Sequence, residues 1–171
     1  MASSASFEHP GTPTVIDVEA SGFGRGSYPI EIGFVRGDGE SQCHLVRPRP
    51  EWTHWDPQAE ALHGISRDTL ERFGRDVREV AAALNEALDA TTVYSDAWGN
   101  DRTWLAVLFD AAGMAQRFKI ETLRILLSEA ETDIWNQTKR DVLENLELER
   151  HRASTDALVL QRTYQRLRAK T

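Results

Sequence analysis

The sequence predicts an α/β protein with a mixed five-stranded sheet, in which the three N-terminal strands are antiparallel and helices flank the sheet. Two observations indicate this fold class. Short β-branched runs joined by a tight turn open the chain, and later short strands are separated by segments with helical periodicity. Strands in succession, followed by strands that alternate with helices, are typical of a mixed sheet covered by helices.

The three opening strands are predicted from β-branched runs and glycine-containing turns. The first strand is Val15–Glu19, which ends at the glycine-rich segment 21–26. Residues 30–35 and 42–46 flank the pair Asp38-Gly39. Because Asp-Gly between two apolar runs favours a hairpin, these segments are expected to pair as antiparallel strands.

Apolar residues at helical spacing replace the strand pattern in the middle of the chain. Two short helices are predicted over 57–63 and 66–73. A longer helix begins at Asp76, which with Glu79 matches a capping box, and ends near Ala90.

The second half of the chain contains two more strands and three more helices. A fourth strand is predicted over 91–95, a helix over Asp101–Ala112 and a fifth strand over 118–120. One further helix is expected within 129–148 and the last over 154–169.

Size and composition limit the classes of protein to which the chain can belong. With 171 residues, the chain has the length of one domain, so we expect residues 1–13 to form a flexible arm and residues 14–171 a single domain. Twenty Lys and Arg against 27 Asp and Glu give a formal charge of -7, which argues against broad wrapping of a duplex but permits a small site for a strand end.

Cysteine content and hydrophobicity predict the compartment. The single cysteine, Cys43, is too few for an internal disulfide or a thiolate zinc site, so a metal would be bound through oxygen or imidazole. No export signal and no long apolar run is visible, and we therefore expect a soluble, cytoplasmic protein without a membrane partner.

Four carboxylates lie where they should border the core. Asp17 and Glu19 alternate along the first strand, so their side chains share one face. Asp101 and Asp156 each precede the apolar stripe of a predicted helix. Each acid also fits a structural role: a solvent-facing strand edge for the first two, a helix cap for Asp101 and a favourable dipole interaction for Asp156.

Together, these acids indicate a metal site. Neighbouring buried carboxylates repel one another unless a cation lies between them, and oxygen ligands select Mg²⁺ or Mn²⁺. Four carboxylates suffice for two ions about 3.5 to 4 Å apart, an arrangement that serves attack at phosphorus. His151, five residues before Asp156, is placed to accept a proton from the attacking water, although an isolated histidine also fits a surface or capping role.

The same residues resemble the motifs of the DEDDh 3′-to-5′ exonucleases, the family of the proofreading epsilon subunit, ribonuclease T and oligoribonuclease. Val15–Glu19 is similar to the first motif, Asp-x-Glu, and Gly22-Phe23 to the glycine and apolar residue that follow it. Segments 29–33 and 63–66 are similar to the second strand and to a segment before the middle helices. The segment 151–157 matches the third motif, His-x4-Asp.

The second motif departs from the family pattern. Many members have His-Asn after the fourth strand and Phe before the acid, where this chain has Ser95-Asp96 and Asn100-Asp101. Trp104-Leu105 still fit the apolar residues that follow, so the resemblance assigns the ligand role to Asp101. Asp96 is the competing candidate.

The resemblance implies a ribonuclease H-like fold and an enzyme that removes nucleotides one by one from the 3′ ends of single-stranded DNA or RNA, releasing nucleoside monophosphates. It implies two Mg²⁺ or Mn²⁺ ions, with His151 as the general base. The implied metal ligands are Asp17, Glu19, Asp101 and Asp156.

Substrate contacts are implied as well, at Ala20, Gly22, Phe23 and His63. Ala20 replaces a hydroxyl residue usual in the family, so backbone groups would have to contact the terminal sugar there. Phe23 either wedges against the terminal base or packs in the core, and Trp52, Trp55 and Trp98 have the same two alternatives. Arginines near the third motif either hold phosphates or form a solvated helix face: Arg150, Arg152, Arg162 and Arg166.

Two other functions stay open on the sequence. One is a non-catalytic nucleic-acid-binding or regulatory module of the same fold, against which the complete set of acids argues. The other is a metal-dependent endonuclease, which would cut a strand whose end is blocked or circularised. Small exonucleases of this kind often pair, and an exposed apolar helix face would allow a homodimer.

Overall fold

The computed structural model describes residues 11–146 and 152–169. Five strands form one sheet in the order β3-β2-β1-β4-β5. Strand β1 pairs antiparallel with β2, which pairs antiparallel with β3, whereas β4 is parallel to both β1 and β5. The strands are β1 Thr14–Ala20, β2 Pro29–Val35, β3 Ser41–Leu45, β4 Thr92–Ser95 and β5 Lys119–Thr122.

Helices flank this sheet, and the predicted α/β fold is confirmed. They are α1 Pro57–His63, α2 Arg67–Phe73, α3 Val77–Leu88, α4 Trp98–Ala112, α5 Glu129–Asn145 and α6 Ala153–Arg168, and a 3₁₀ turn spans Leu123–Leu126. Across 11–146 and 152–169, every helix is too short or too polar to cross a membrane.

Two predicted helix starts differ in detail from the structure. Helix α4 begins at Trp98, three residues before Asp101, and Ala97 precedes it without a side-chain cap. Asp76 does cap α3, accepting a hydrogen bond from the Arg78 amide, but Glu79 lies 3.8 Å from the Arg75 guanidinium instead of completing a capping box.

The core has two parts, one on each face of the sheet, and alternate side chains of β1 contribute to each part. Ile16 and Val18 pack toward α3 and α4, where they meet buried residues such as Leu84 and Leu105. Val15 faces the other way, toward α5 and α6. Because alternate residues share a face, Asp17 and Glu19 also point to the α6 side, where Asp156 lies.

Candidate metal centre

Strand β1, at the centre of the sheet, carries Asp17 and Glu19 near its C-terminal end. Its parallel pairing with β4 includes Thr14 and Val15, and β4 ends at Ser95, where the chain turns toward α4. The two acids therefore project beyond the carboxyl end of β4, the edge at which ligands bind in parallel sheets.

Three of the predicted ligands converge there. Three carboxylate oxygens lie within 4.8 Å of one another, one from each of Asp17, Glu19 and Asp156. All three residues are half-buried. They line a cavity of about 460 Å³ that Asp101 also lines. The structure thus brings four acids from β1, α4 and α6 to one cavity, with Asp101 outside the tight group of three.

Asp101 has the environment of an incompletely satisfied buried acid. It is 1% exposed and accepts a hydrogen bond at Oδ2 from the Ser95 hydroxyl. Its Oδ1 is buried without a hydrogen-bond partner among the described residues. Because α4 begins before it, Asp101 does not act as the N-cap, and the structural alternative from the sequence is wrong.

Charge repulsion and burial act on this group of acids. Burial raises the pKa of Asp17 well above its ordinary value, and the negative charges of Asp101, Glu19 and Asp156 raise it further, while the Lys139 ammonium opposes the rise. The carboxyl group is therefore poorly stabilised as an anion in the protein alone.

Glu19 and Asp101 show the same effect. Burial, followed by the charge of Asp156, raises the pKa of Glu19 to about 7. Burial also raises the pKa of Asp101 to about 7, although the hydrogen bond from Ser95 opposes it. A divalent cation would favour the ionised forms, and an all-oxygen donor set with one unpartnered buried oxygen fits Mg²⁺ or Mn²⁺.

Asp96, which competes with Asp101 as the second-motif ligand, pairs with a lysine and not with Ser95. Its Oδ2 lies 3.0 Å from the Lys139 ammonium nitrogen, and both side chains are 33% exposed. Asp96 lines a second cavity and is absent from the lining of the larger one. The geometry favours Asp101 over Asp96 as the fourth acid.

Helix α6 is seated on β2 by a buried charge that the sequence patterns did not identify. Glu31 is fully buried, and its carboxylate accepts hydrogen bonds from the Ala153 amide at 2.8 Å and from the Arg152 guanidinium. Arg152 Nη2 lies 2.7 Å from Glu31 Oε2, so Arg152 is an ion-pair partner within the fold. The signal in the sequence is a lone acid within an apolar strand.

Gly33, also on β2, allows this close seating. A Cβ atom at Gly33 would overlap the backbone of Ala153 and Ser154 at the start of α6.

Of the other arginines near the third motif, Arg162 is exposed and donates a hydrogen bond to Gln165, as expected for a solvated helix face. Arg150 and His151 lie outside the described residues.

The substrate-contact candidates line the larger cavity: Ala20, Gly22, Phe23 and His63. Phe23 is 70% exposed, and its ring centroid lies 5.8 Å from that of Trp104, so the core-packing alternative for Phe23 is wrong. Gly22 has a φ of 143°, and a Cβ there would lie 2.6 Å from the Asp56 Cβ. His63 is buried, and its Nδ1 accepts a hydrogen bond from the Ile65 amide.

The three tryptophans in question have packing partners within the fold. Trp52 stacks on Tyr28 with ring centroids 5.0 Å apart. The indole of Trp55 donates a hydrogen bond to Glu60, and that of Trp98 donates one to the Ile120 carbonyl. These contacts support the packing alternative for all three.

Comparison with known proteins gives a likeness in structure alone. No protein-family model and no curated protein sequence matches the chain. The structure is similar to E. coli exonuclease I in complex with a dA16 oligonucleotide, with a TM-score of 0.67 and 13% identity over 94% of this chain and 41% of that one. It is also similar to the zinc-bound form of an E. coli exonuclease I complex with single-stranded DNA, with a TM-score of 0.66, 14% identity and the same coverage.

An exonuclease I from Methylocaldum szegediense gives a TM-score of 0.57 and 14% identity over 80% of this chain and 30% of that one. This chain therefore spans less than half the length of each of these exonucleases. At such low identity, the likeness establishes that the fold is shared.

Proposed function

We propose that this chain is a metal-dependent 3′-to-5′ exonuclease of the DEDDh family, which hydrolyses single-stranded nucleic acid and releases nucleoside monophosphates. The observation that carries the proposal is the convergence of Asp17, Glu19 and Asp156 within 4.8 Å, at a cavity that the buried Asp101 also lines. The fold shared with exonucleases crystallised with single-stranded oligonucleotides supports it.

The four acids would hold two Mg²⁺ or Mn²⁺ ions, and their donor chemistry fits. Raised pKa values at Asp17, Glu19 and Asp101 indicate carboxylates in need of a counter-charge. When bound, two divalent ions would polarise the attacking water and offset the charge on the departing 3′ oxygen. The protein's part is to keep the carboxylates of β1, α4 and α6 in one place.

His151 is proposed as the general base. It directly precedes Arg152 and Ala153 in the chain, and both of these residues bind Glu31 on β2 at the start of the helix that carries Asp156. Neutral imidazole accepts a proton near neutral pH, which suits removal of a proton from the attacking water.

The larger cavity is proposed to hold the terminal nucleotide. The exposed ring of Phe23 stands at its wall, and stacking of one base on an aromatic ring contributes about 1 to 3 kcal/mol. The formal charge of -7 disfavours extended contact with a polyanion, so we expect the strand end alone to enter.

The direct test is a time course with 5′-labelled single-stranded DNA and RNA in Mg²⁺ or Mn²⁺. The unaltered chain should produce a ladder of progressively shorter labelled products, and EDTA or the substitution Asp17→Asn should abolish it. A circular strand of the same sequence should remain intact. Cutting of the circle would establish an endonuclease instead, and intact linear strands in every condition would contradict the proposal.

A further inference from the structure

A second cavity, of about 290 Å³, adjoins the candidate metal centre. It shares Asp17, Ala97 and Asp156 with the larger cavity, so the two meet at the carboxylates. Its remaining lining comes from Asp96, α5 and the middle of α6: Asp96, Lys139, Leu143, Val159 and Leu160. A ligand at the carboxylates is therefore accessible from this side too.

Lys139 supplies positive charge where a polyanion would need it. Among the described residues that line the two cavities, it is the single Lys or Arg. It lines the second cavity together with Asp17 and Asp156, two acids of the candidate metal centre. A phosphate that approaches these carboxylates on a chain of charge -7 is repelled by them, and Lys139 offsets part of this repulsion in addition to any bound divalent ions.

Asp96 holds the Lys139 side chain without using up its donors. The 3.0 Å contact between them occupies one of the three N–H groups of the ammonium. Since both side chains are one-third exposed, the pair is weak and leaves the ammonium able to turn toward a ligand. Lysine binds phosphate as a point charge, which does not require a fixed planar geometry.

We propose that Lys139 binds the phosphate of the terminal nucleotide, during the reaction and in the released nucleoside 5′-monophosphate, with Asp96 as the residue that positions it. This inference rests on the proposed function, because it assigns a role in binding the product of that reaction. Asp96 then serves the site through Lys139 and not as a metal ligand.

The test is equilibrium dialysis of labelled AMP and adenosine in the presence of Mn²⁺. Lys139→Gln should weaken AMP binding about tenfold or more, the effect expected from loss of a hydrogen bond between charged groups. Lys139→Arg should recover part of it, and adenosine, which lacks the phosphate, should bind equally to all variants. Arg140→Gln is the matched control, because Arg140 is exposed on the same helix and lines neither cavity.

Several results would overturn the assignment. AMP binding by Lys139→Gln that equals that of the unaltered chain would do so, as would an unaltered chain that binds no AMP. An equal loss of Mn²⁺ and AMP affinity in Lys139→Gln would make Lys139 a part of the metal site alone. If AMP binding depends on Lys139 while single strands stay intact, the phosphate site stands and the exonuclease proposal fails.

Discussion

At the scale of single residues, Asp101 and Asp96 lie close in the chain but have different surroundings. Asp101 is buried, its Oδ2 is bonded to Ser95, and its Oδ1 has no hydrogen-bond partner among the described residues. Asp96 is partly exposed and paired with Lys139. A bound cation would satisfy the buried oxygen of Asp101, whereas Asp96 already has a counter-charge.

Separate substitutions of these two acids should therefore differ in their effect on metal binding. In thermal unfolding, Mn²⁺ at a hundredfold excess over its dissociation constant should stabilise the unaltered chain by about 2.7 kcal/mol for each ion bound. Asp96→Asn should retain nearly all of this stabilisation, and Asp101→Asn should lose most of it. The reverse order would assign the fourth ligand to Asp96.

The raised pKa of Glu19 predicts a pH-dependent cost of folding without metal. The pKa of Glu19 is about 7 in the folded chain and about 4.3 in the unfolded chain. At a pH between these two values, the folded chain therefore binds more protons at Glu19 than the unfolded chain does. The free energy of unfolding contributed by this group therefore falls as the pH rises from about 5 to 8.

Urea unfolding of the unaltered chain and Glu19→Gln in EDTA measures this contribution. The two should be similar near pH 5, and Glu19→Gln should become more stable by about 1 to 2 kcal/mol at pH 8, a value reduced for the solvent that screens this half-buried residue. Comparison of the two chains cancels titrating groups that do not interact with Glu19, such as His44, whose pKa is lowered by burial. The measured difference includes the effect of the Glu19 charge on the pKa of Asp17. A difference that does not change with pH would contradict the raised pKa.

At the scale of elements, the seat of α6 on β2 controls where Asp156 lies. Gly33→Ala should force the start of α6 away from the sheet, because the added methyl group overlaps the backbone of Ala153 and Ser154. We expect a loss of about 1 to 3 kcal/mol in the free energy of unfolding, together with weaker Mn²⁺ binding.

Gly99→Ala is the matched control for this substitution. Gly99 lies in α4, and a Cβ there would meet no neighbouring atom within 4 Å. The free energy of unfolding of Gly99→Ala should therefore equal that of the unaltered chain or be slightly higher. Unchanged stability and Mn²⁺ affinity in Gly33→Ala would show that α6 is not held at this contact.

The order of the elements could be predicted from the sequence, since β-branched runs, turns and helical spacing are local signals. The start of α4 could not, because Ala97 carries no capping side chain to mark it. The contact between Glu31 and Arg152 joins positions 121 residues apart, and local patterns contain no information about such a pairing.

At the scale of the whole molecule, the sheet order assembles the site. Asp17 and Glu19 lie on the central strand β1, Asp101 follows the adjacent β4, and Asp156 lies on the helix that packs across β1 and β2. The sequence predicted the shared face of the first two acids from strand alternation. The meeting of all four was inferred from their places beside the predicted core and was supported by the resemblance to a family, because sequence spacing alone does not fix how distant elements pack.

The role of His151 stays a prediction at this scale, since the residue lies outside the described part of the chain. Its expected effect is separable from that of the acids. His151→Ala should slow strand shortening while leaving Mn²⁺ affinity nearly unchanged, because a general base moves a proton and need not bind the metal.

Calorimetric titration of the chain with Mn²⁺ near pH 7.5 tests the metal centre most directly. The unaltered protein and His151→Ala should each bind two ions, and Asp17→Asn should lose that binding, with circular dichroism confirming that all three are folded. Mn²⁺ binding by Asp17→Asn with the affinity and stoichiometry of the unaltered chain would contradict a metal site at these carboxylates.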